Sequence, residues 1–242
     1  MSNNGEIKMN YDNKYVSHLF EVIDQMSYKD ITVIEKTKNT YIHESGGDKS
    51  DVIILVKGIV ISSLLGTSGN RLNLCYSKIP GIIMLKKATH STGEYLCDIK
   101  IDSEKALFYK LDGIKFWNLV SNDEILREYV LEYMFSRINR EREVLVKSID
   151  NTKYERLYAF LYECTKLFGV KNSDDGSILI DHNITHKTIG DFCGIRNRSS
   201  VTRIMGELIK ENIIKQDYRK IIVMDLDFLK IRSDILNESA GL

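Results

Sequence analysis

Basic side chains that could bind phosphate are concentrated in residues 186–220 of this sequence. The segment contains eight basic and four acidic residues, although the whole chain of 242 residues has a formal net charge of zero. A local positive patch of this kind is typical of a surface that contacts nucleic acid. The segment therefore favours binding to DNA phosphates. Its basic residues are Lys187, Arg196, Arg198, Arg203, Lys210, Lys215, Arg219 and Lys220.

Two short amphipathic segments joined by a glycine would position these cations. Ile189 and Phe192 supply the buried face of a first helix, and Gly194 opens a turn. Ser199 or Ser200 is expected to cap the second helix. Because one face of that second helix is apolar, its opposite face and its N-terminal end can enter a DNA groove. The apolar positions, spaced i, i+3, i+4 and i+7, are Val201, Ile204, Met205 and Leu208.

The start of the second helix carries side chains that could reach base edges. The residues predicted to point outward there are Arg198, Ser199, Thr202 and Arg203. An arginine can donate two hydrogen bonds to guanine O6 and N7, a pairing worth about 1 to 3 kcal/mol of discrimination. We therefore expect Arg198 and Arg203 to read bases directly. Serine hydroxyls and backbone N–H groups at the helix start would hold phosphates.

A strand pair is expected after the second helix. Residues 213–215 and 221–224 are rich in β-branched side chains, and the polar segment 216–220 joins them. The tip carries Arg219 and Lys220, and Lys215 lies beside it, so the hairpin resembles a wing that contacts the DNA backbone. A helix, a glycine and a second helix also occur in proteins that do not bind DNA. The strand at 177–180, the wing and the local charge make the pattern more specific here.

The N-terminal half has the pattern of antiparallel strands. Between residues 31 and 111 short apolar runs, such as 51–58, 59–65 and 71–76, alternate with glycine and polar turns. The turn at 66–70 includes Gly66, Gly69 and Asn70, which tolerate the positive φ of a tight hairpin. We therefore predict an antiparallel barrel or roll.

One long helix is predicted from about residue 122 to 148, where glycine and proline are absent. A narrow apolar stripe on such a helix suits a partner helix, so we interpret it as a dimer seam, although it could instead pack on its own barrel. Leu126 and Val130 extend the apolar surface toward the helix start. The seam consists of Leu131, Met134, Ile138 and Leu145.

These elements predict an α+β protein in three parts. Residues 1–111 form an N-terminal β-roll sensor domain, residues 112–150 a long dimerisation and coupling helix, and residues 151–242 a winged helix-turn-helix DNA-binding domain. The last part opens with a capping sequence at 150–152, and Gly169 can terminate the helix that follows. One face of that helix is formed by Leu157, Leu161, Cys164 and Phe168.

The chain resembles the Crp/Fnr family of bacterial transcription regulators, whose sensor is a roll of the cyclic-nucleotide-binding type, and within that family the PrfA-like branch. Residues 51–60 match the family's strand pair around Gly58, and Gly69 lies in the following hairpin. The positions that match the family's DNA-binding signature are Thr185, Ile189, Gly190, Gly194, Val201, Arg203 and Ile204. The resemblance therefore covers nearly the whole chain.

The resemblance assigns DNA contacts to individual residues. It implies that Arg198, Ser199 and Arg203 read bases. The residues that it places against phosphates are Thr185, Lys187 and Ser200. Two departures matter, because the turn after Gly194 is one residue longer than usual, as in the PrfA-like branch, and Ser199 replaces a glutamate that selects cytosine in many members. The preferred operator should therefore differ from the commonest family site.

Three kinds of bound group are not expected. The segment 80–97 has neither the Gly-Glu-Leu cassette nor the Arg-Ser/Thr pair that a cyclic phosphate needs, so we predict no cAMP binding. The first cysteine is Cys75, which leaves no N-terminal cysteine cluster for an iron–sulfur centre. The five histidines lack metal-ligand spacing, so no metal is expected. A binding protein is therefore favoured over an enzyme.

The effector of the roll, if one is needed, stays open. Cys75, Tyr129 and Tyr133 could line a pocket because the tyrosines lie on the helix beside the barrel, but ordinary interdomain packing explains them equally. Cys75 or Cys97 could be a redox-sensing thiol, although four widely spaced cysteines are more simply buried small side chains. A loop that could hold an anion, or merely be a solvated face, contains Lys86, Lys87 and His90.

The expected partners are duplex DNA, a second copy of the chain and RNA polymerase, the last of which would make the protein an activator. No segment approaches the roughly 18 to 20 apolar residues of a membrane span, and no export signal begins the sequence, so we expect a cytoplasmic protein without membrane contact. The alternative is an effector-binding β-roll module that acts through protein partners rather than DNA. Such a module would show no salt-dependent affinity for duplex DNA.

Overall fold

The computed structural model describes residues 14–43, 51–66, 69–85 and 97–234. The chain divides into two compact units. The first contains Met1–Leu64 and Cys75–Arg140, and the second contains Leu65–Leu74 and Glu141–Leu242. Among the described residues, no helix combines the length and the apolar character that crossing a bilayer requires.

In the described part of residues 31–112, eight strands form two four-stranded sheets. Across the first sheet the order is β1 (Ile31–Thr37), β8 (Lys105–Asp112), β3 (Asp51–Lys57) and β6 (Gly81–Leu85). Across the second sheet it is β2 (Tyr41–His43), β7 (Cys97–Ile101), β4 (Val60–Leu65) and β5 (Arg71–Ser77). The strands pair antiparallel. The predicted antiparallel roll is therefore confirmed.

Strand β3 is buried on both faces, which explains its continuous apolar sequence. Val52, Ile54 and Val56 belong to a core cluster that also contains helical side chains. Ile53 and Leu55 point the other way, into a second cluster formed by strands. Because successive side chains of a strand alternate between its faces, a strand that is covered on both sides loses the polar half of its pattern.

Three helices accompany the roll: α1 (Lys14–Asp24), α2 (Gly113–Asn122) and α3 (Glu124–Asp150). Sequence analysis did not predict α1. It is held on the first core cluster by four apolar residues at helical spacing, and a single 3-10 turn, Tyr28–Asp30, links it toward β1. The buried residues of α1 are Val16, Leu19, Phe20 and Ile23.

The long helix predicted from about residue 122 to 148 is confirmed as α3, whereas the segment 112–150, described from the sequence as one helix, contains the two helices α2 and α3. Asp112 caps α2 by accepting a hydrogen bond from the backbone N–H of Lys115. Asp123 is extended, with φ −124° and ψ 116°, and its side chain accepts from the backbone N–H of Leu126 at the start of α3. An aspartate in this position ends one helix and caps the next, because its carboxylate satisfies an N–H group that has no partner within the helix.

The second unit contains the remaining helices and a small sheet. A capping box of Thr152 and Glu155 starts the first of these helices. In chain order the elements are α4 (Lys153–Phe168), β9 (Gly169–Lys171), β10 (Ile178–Ile180), α5 (His186–Cys193), α6 (Arg198–Lys210), β11 (Ile214–Asp217), β12 (Lys220–Val223) and α7 (Leu226–Asp234). The order of strands across the sheet is β11-β12-β10-β9.

The predicted pattern of the second unit is confirmed in its main features. The four apolar residues predicted on one face of α4 are all buried, and β11 and β12 form the predicted hairpin. Gly169 follows the last residue of α4, but it is extended rather than left-handed. Helix α7 was not predicted. Its Leu229 is fully buried, and its Phe228 ring lies 5.5 Å from that of Tyr158 on α4.

Candidate nucleic-acid interface

A tight glycine turn joins α5 and α6. Gly194 has φ 63° and ψ 26°, a left-handed conformation that favours glycine, and its N–H donates to the carbonyl of Gly190. Gly190 allows the backbone at Ile195 to lie close to α5, because a Cβ at residue 190 would be 2.8 Å from the carbonyl oxygen of Ile195. The two glycines therefore set the angle between the helices of the predicted helix-turn-helix.

Helix α6 is anchored by one apolar face. Its predicted core residues, Val201, Ile204, Met205 and Leu208, are all buried. The helix is capped by Asn197, whose side chain accepts from the backbone N–H of Ser199 at 2.9 Å, so the prediction of a cap at Ser199 or Ser200 was wrong. Asn197 is extended and its carbonyl-bearing side chain reaches the first turn, as the preferred capping residues do.

The three residues predicted to read bases are exposed but differ in their contacts. Ser199 donates its hydroxyl to the side chain of Asn197 at 2.7 Å. Arg203 lies over the ring of Tyr154, 5.7 Å from its centroid, and 3.8 Å from the carboxylate of Glu207. Arg198 makes no ion pair or side-chain hydrogen bond to any described residue. Of the two arginines predicted to read bases, Arg198 is therefore the more available to a ligand.

The candidate phosphate contacts lie on both helices of the motif and on the wing. Thr185 caps α5 by accepting from the backbone N–H of Thr188, and Ser200 is half-buried. Lys187 forms an ion pair with Asp191 at 3.0 Å. Lys215 and Arg219 are exposed.

The wing tip is exposed to solvent. Tyr218, with φ 52°, turns the hairpin and is 95% exposed. Lys220, at the other side of the turn, is paired with Asp181, 2.5 Å from its carboxylate, and this contact lowers the pKa of Asp181. Lys220 would have to leave Asp181 before it could bind a phosphate.

One contact at this surface escaped sequence analysis. His186 Nδ1 lies 2.9 Å from Thr202 Oγ1, which links the start of α5 to the second turn of α6. Burial is the main cause that lowers the pKa of His186, and the charge of Arg198 lowers it further. The two residues are 16 positions apart, so no local pattern could have shown their contact. Only the outward direction of Thr202 was accessible from helical periodicity.

A half-buried arginine of α4, Arg156, binds the C-terminal end of α5. The Nε of Arg156 donates to the carbonyl of Cys193 at 2.7 Å, and its NH1 donates to the carbonyl of Asn151 at 2.6 Å. Burial raises the pKa of Cys193 to about 12 and also raises that of Cys164. These two thiols therefore stay protonated and inert, as the simplest interpretation of the cysteines expected.

The candidate effector residues of the first unit are not gathered in one place. Tyr129 packs against the helical core cluster, and its hydroxyl accepts from the backbone N–H of Ile82 at 3.1 Å. Burial raises the pKa of Tyr129. Tyr133 packs on the same cluster, with its hydroxyl 3.2 Å from Arg137 NH1, whereas Cys75 lies on β5 at the edge of the other sheet. The basic loop with Lys86, Lys87 and His90 lies outside the described residues.

The predicted seam residues of α3 are all solvent-exposed. Leu126 and Val130, by contrast, are buried in the helical core cluster of the roll. The exposed fractions are 50% for Leu131, 44% for Met134, 42% for Ile138 and 61% for Leu145. Phe135 and Ile149 lie on the same side of the helix and are 64% and 80% exposed. Helix α3 therefore carries an apolar stripe with no cover among the described residues.

Comparison with known proteins agrees with this architecture. Residues 155–231 match the Crp-like helix-turn-helix domain family. The lactate racemization regulatory protein of Lactiplantibacillus plantarum is 30% identical over 200 residues, which are 82% of this chain and 90% of that protein. The anaerobic regulatory protein of Bacillus subtilis is 25% identical over 224 residues, or 91% of this chain and 90% of that protein.

Solved structures share the fold at lower sequence identity. A CooA mutant from Carboxydothermus hydrogenoformans has a TM-score of 0.71 and 17% identity, with 89% of this chain and 95% of that chain covered. A putative transcriptional regulator of the crp/fnr family from Eubacterium rectale has a TM-score of 0.67 and 18% identity, with 91% and 94% covered.

A roll followed by a winged helix-turn-helix is the architecture of a DNA-binding transcription regulator, and that is the class of this protein. The relatives that match most of the chain narrow this class to one family. The chain belongs to the Crp/Fnr family of transcription regulators.

Proposed function

We propose that the protein is a cytoplasmic homodimer that binds a palindromic operator, with the start of α6 from each copy in the major groove. The observation that carries this proposal is the orientation of α6, which buries its apolar side and leaves Arg198 exposed at its N-terminal end. Residues at that end of a recognition helix are the ones that reach base edges. We assign base reading to Arg198, Ser199 and Arg203.

We assign phosphate contacts to the residues around this end and on the wing. Phosphate contacts fix the orientation of the protein but carry no sequence information. Lys187 and Lys220 must each leave a carboxylate partner to bind a phosphate. Each therefore contributes less to the free energy of DNA binding than an unpaired cation would. The proposed set is Thr185, Lys187, Ser200, Lys215, Arg219 and Lys220.

We propose that the exposed stripe of α3 binds α3 of a second copy. Leu131, Ile138 and Leu145 are seven residues apart, and Phe135 and Ile149 occupy the intervening steps of four. A repeat of seven suits a partner helix of the same spacing, because both helices then keep their apolar sides in register. The remaining position of this repeat is Arg142, a polar residue that would restrict the register.

The dimer can be tested by its mass in solution. Ile138→Asp should convert the dimer into a monomer, because a carboxylate would be buried in an apolar seam. Ser136→Asp is the matched control, since Ser136 is exposed and lies on another side of α3. Sedimentation equilibrium measures both. A monomeric native protein, or a dimeric Ile138→Asp variant, would refute the seam.

We propose that the roll adjusts DNA affinity and that the protein acts with RNA polymerase as an activator. The listeriolysin regulatory protein of Listeria monocytogenes, 25% identical over 186 residues, supports placement in the PrfA-like branch, with 77% of this chain and 78% of that protein covered. Tyr129 joins α3 to the backbone of β6 and is the residue through which we expect an effector to act. No cyclic nucleotide is required in this proposal.

The experiment that tests this function is selection of random duplex DNA by the purified protein, at two salt concentrations. We expect enrichment of a palindrome whose half-sites are one DNA turn, roughly 34 Å, apart. Arg198→Ala should lose specificity at one position of each half-site. Lys36→Ala, which removes an exposed cation from β1, is the control and should leave the selected sequence unchanged. Failure of the native protein to enrich any sequence would count against the proposal.

A further inference from the structure

The hydrogen bonds of Thr202 determine the direction of its hydroxyl proton. Thr202 Oγ1 lies 3.2 Å from the carbonyl oxygen of Arg198 and 2.9 Å from Nδ1 of His186. A carbonyl oxygen only accepts, so the hydroxyl donates its one proton to Arg198. The contact with His186 is then a hydrogen bond only when the hydroxyl accepts and the His186 proton is on Nδ1, and we assign that tautomer.

The surroundings of His186 agree with this neutral tautomer. Its Nε2 is buried and has no hydrogen-bond partner in the described part of the chain. A second proton on Nε2 would place an N–H donor without a partner at a buried atom, and the charge of Arg198 also disfavours it. Burial and that guanidinium both lower the pKa of His186. The ring therefore stays a neutral donor and keeps the hydroxyl of Thr202 turned toward the protein.

The remaining group of Thr202 is its γ-methyl. Thr202 is exposed on α6, one turn after Arg198 and one turn before Gly206. Gly206 has no side chain, and nothing lies within 4 Å of the place where its Cβ would be. The next turn of the helix therefore does not cover Thr202. Because its proton is donated to Arg198 in this arrangement, the hydroxyl of Thr202 has none to donate to guanine O6 or N7.

We propose that Thr202 is a specificity-determining residue whose methyl group contacts the 5-methyl group of a thymine in each half-site. This proposal rests on the proposed function, which places α6 in the major groove. The thymine methyl is the apolar group in that groove, and a threonine methyl is one of its suitable partners. His186 acts through Thr202 and is a positioning residue.

Replacement of thymine by deoxyuridine tests this contact without changing any hydrogen-bonding group. In the operator selected by the native protein, each thymine of a half-site is replaced in turn, and affinity is measured by fluorescence anisotropy. At one thymine we expect about a fourfold loss per half-site, the effect of one buried methyl group. An operator that tolerates deoxyuridine at every position would overturn the proposal.

Two substitutions of Thr202 separate its methyl from its hydroxyl. Thr202→Val keeps a methyl group and should retain the preference for thymine over deoxyuridine. Thr202→Ser keeps the hydroxyl and should lose the preference at the same position. If Thr202→Ser kept the full preference, another residue would contact the thymine, and the assignment to Thr202 would be wrong.

The role of His186 is tested by a variant that keeps a donor. His186→Asn retains an N–H group near the position of Nδ1 and should keep the preference for thymine. His186→Ala leaves the hydroxyl without that donor, so the threonine can rotate and the preference should fall. Equal preferences in the two variants would refute the positioning role. Thermal unfolding of both variants identifies any loss that comes from misfolding.

The outcomes distinguish this inference from the function on which it rests. A native protein that enriches no palindrome refutes the proposed function and the thymine contact together. A native protein that enriches a palindrome but tolerates deoxyuridine at every thymine refutes only the contact of Thr202.

Discussion

Helices α6 and α3 both have an apolar side, but the chain buries that side in α6 and leaves it exposed over much of α3. In α6 the apolar side is buried within its own unit, and the polar end with Arg198 is exposed. In α3 the apolar stripe that contains Leu131 and Ile138 is exposed to solvent. The surface that a helix leaves uncovered indicates its partner: a polar, basic end suits DNA, and an apolar stripe suits another protein chain.

The largest expected effect is loss of stability when the covered side of α6 is truncated. Ile204 is completely buried, so Ile204→Ala should destabilise the protein by about 2 to 5 kcal/mol, through lost burial and the cavity that remains. Ile138→Ala, on the exposed stripe of α3, should lower the free energy of unfolding far less at concentrations where the chain is monomeric. Urea unfolding measures both variants. Similar losses would mean that α3 is covered within one chain.

The next effect distinguishes base reading from phosphate binding on the exposed end of α6. Arg198→Ala should cost about 1 to 3 kcal/mol of discrimination at one base pair, because a bidentate arginine is lost. Arg219→Ala on the wing should instead weaken binding to all sequences and reduce the salt slope by about 1. Titrations with the selected operator and random duplex at several salt concentrations separate the two. An unchanged base preference in Arg198→Ala would show that another face of α6 reads the operator.

A smaller effect is expected at Gly206, which lies in the middle of α6 without any steric need for glycine. Nothing lies within 4 Å of the place where its Cβ would be. Gly206→Ala should stabilise the free protein by roughly 0.4 to 1 kcal/mol, because alanine loses less backbone entropy in a helix. Chemical denaturation of the DNA-free protein measures this gain. A destabilised variant would reveal a contact at this position that the helix alone does not require.

The smallest effect concerns the pH dependence contributed by His186. Its pKa is lowered in the folded state, so between the folded value and the ordinary value of about 6.5 the unfolded chain binds more protons. Stability should therefore fall as the pH drops below about 6.5. Melting curves between pH 5 and 7.5 should show a weaker acid effect in His186→Asn than in the native protein. Identical pH profiles would contradict this assignment.

Sequence analysis was most successful where local pattern and final burial agree. The apolar spacing of Val201, Ile204 and Leu208 predicted the buried side of α6 correctly. A helix that packs on one side buries its apolar face, so helical periodicity alone identifies the buried residues. The strands of the roll were recognisable because short apolar runs separated by glycine and polar turns predict strands. The cap of α6 was misassigned to serine because Asn197, Ser199 and Ser200 are all good capping residues, and only the backbone at Asn197 decides among them.

Sequence analysis was least successful where one element meets surfaces that are distant along the chain. Helices α1 and α7 were missed because each depends on a core formed mainly by other segments. The description of residues 112–150 as one helix missed the extended Asp123, because the flanking sequence is helical on both sides and helical spacing alone does not report a single extended residue. Lys220 seemed to be available to a phosphate until the structure placed Asp181 beside it.

Amino-acid types and their spacing by themselves determined the antiparallel strands and the helix-turn-helix, since these depend on periodicities of two and 3.6 residues. The tertiary structure alone decided that Leu126 and Val130 are buried while Leu131 and Ile138, on the same helix, are exposed. It also decided that His186 meets Thr202. The physical reason is that a side chain's burial and its hydrogen-bond partners are set by which other segments pack against it, and that information is not local.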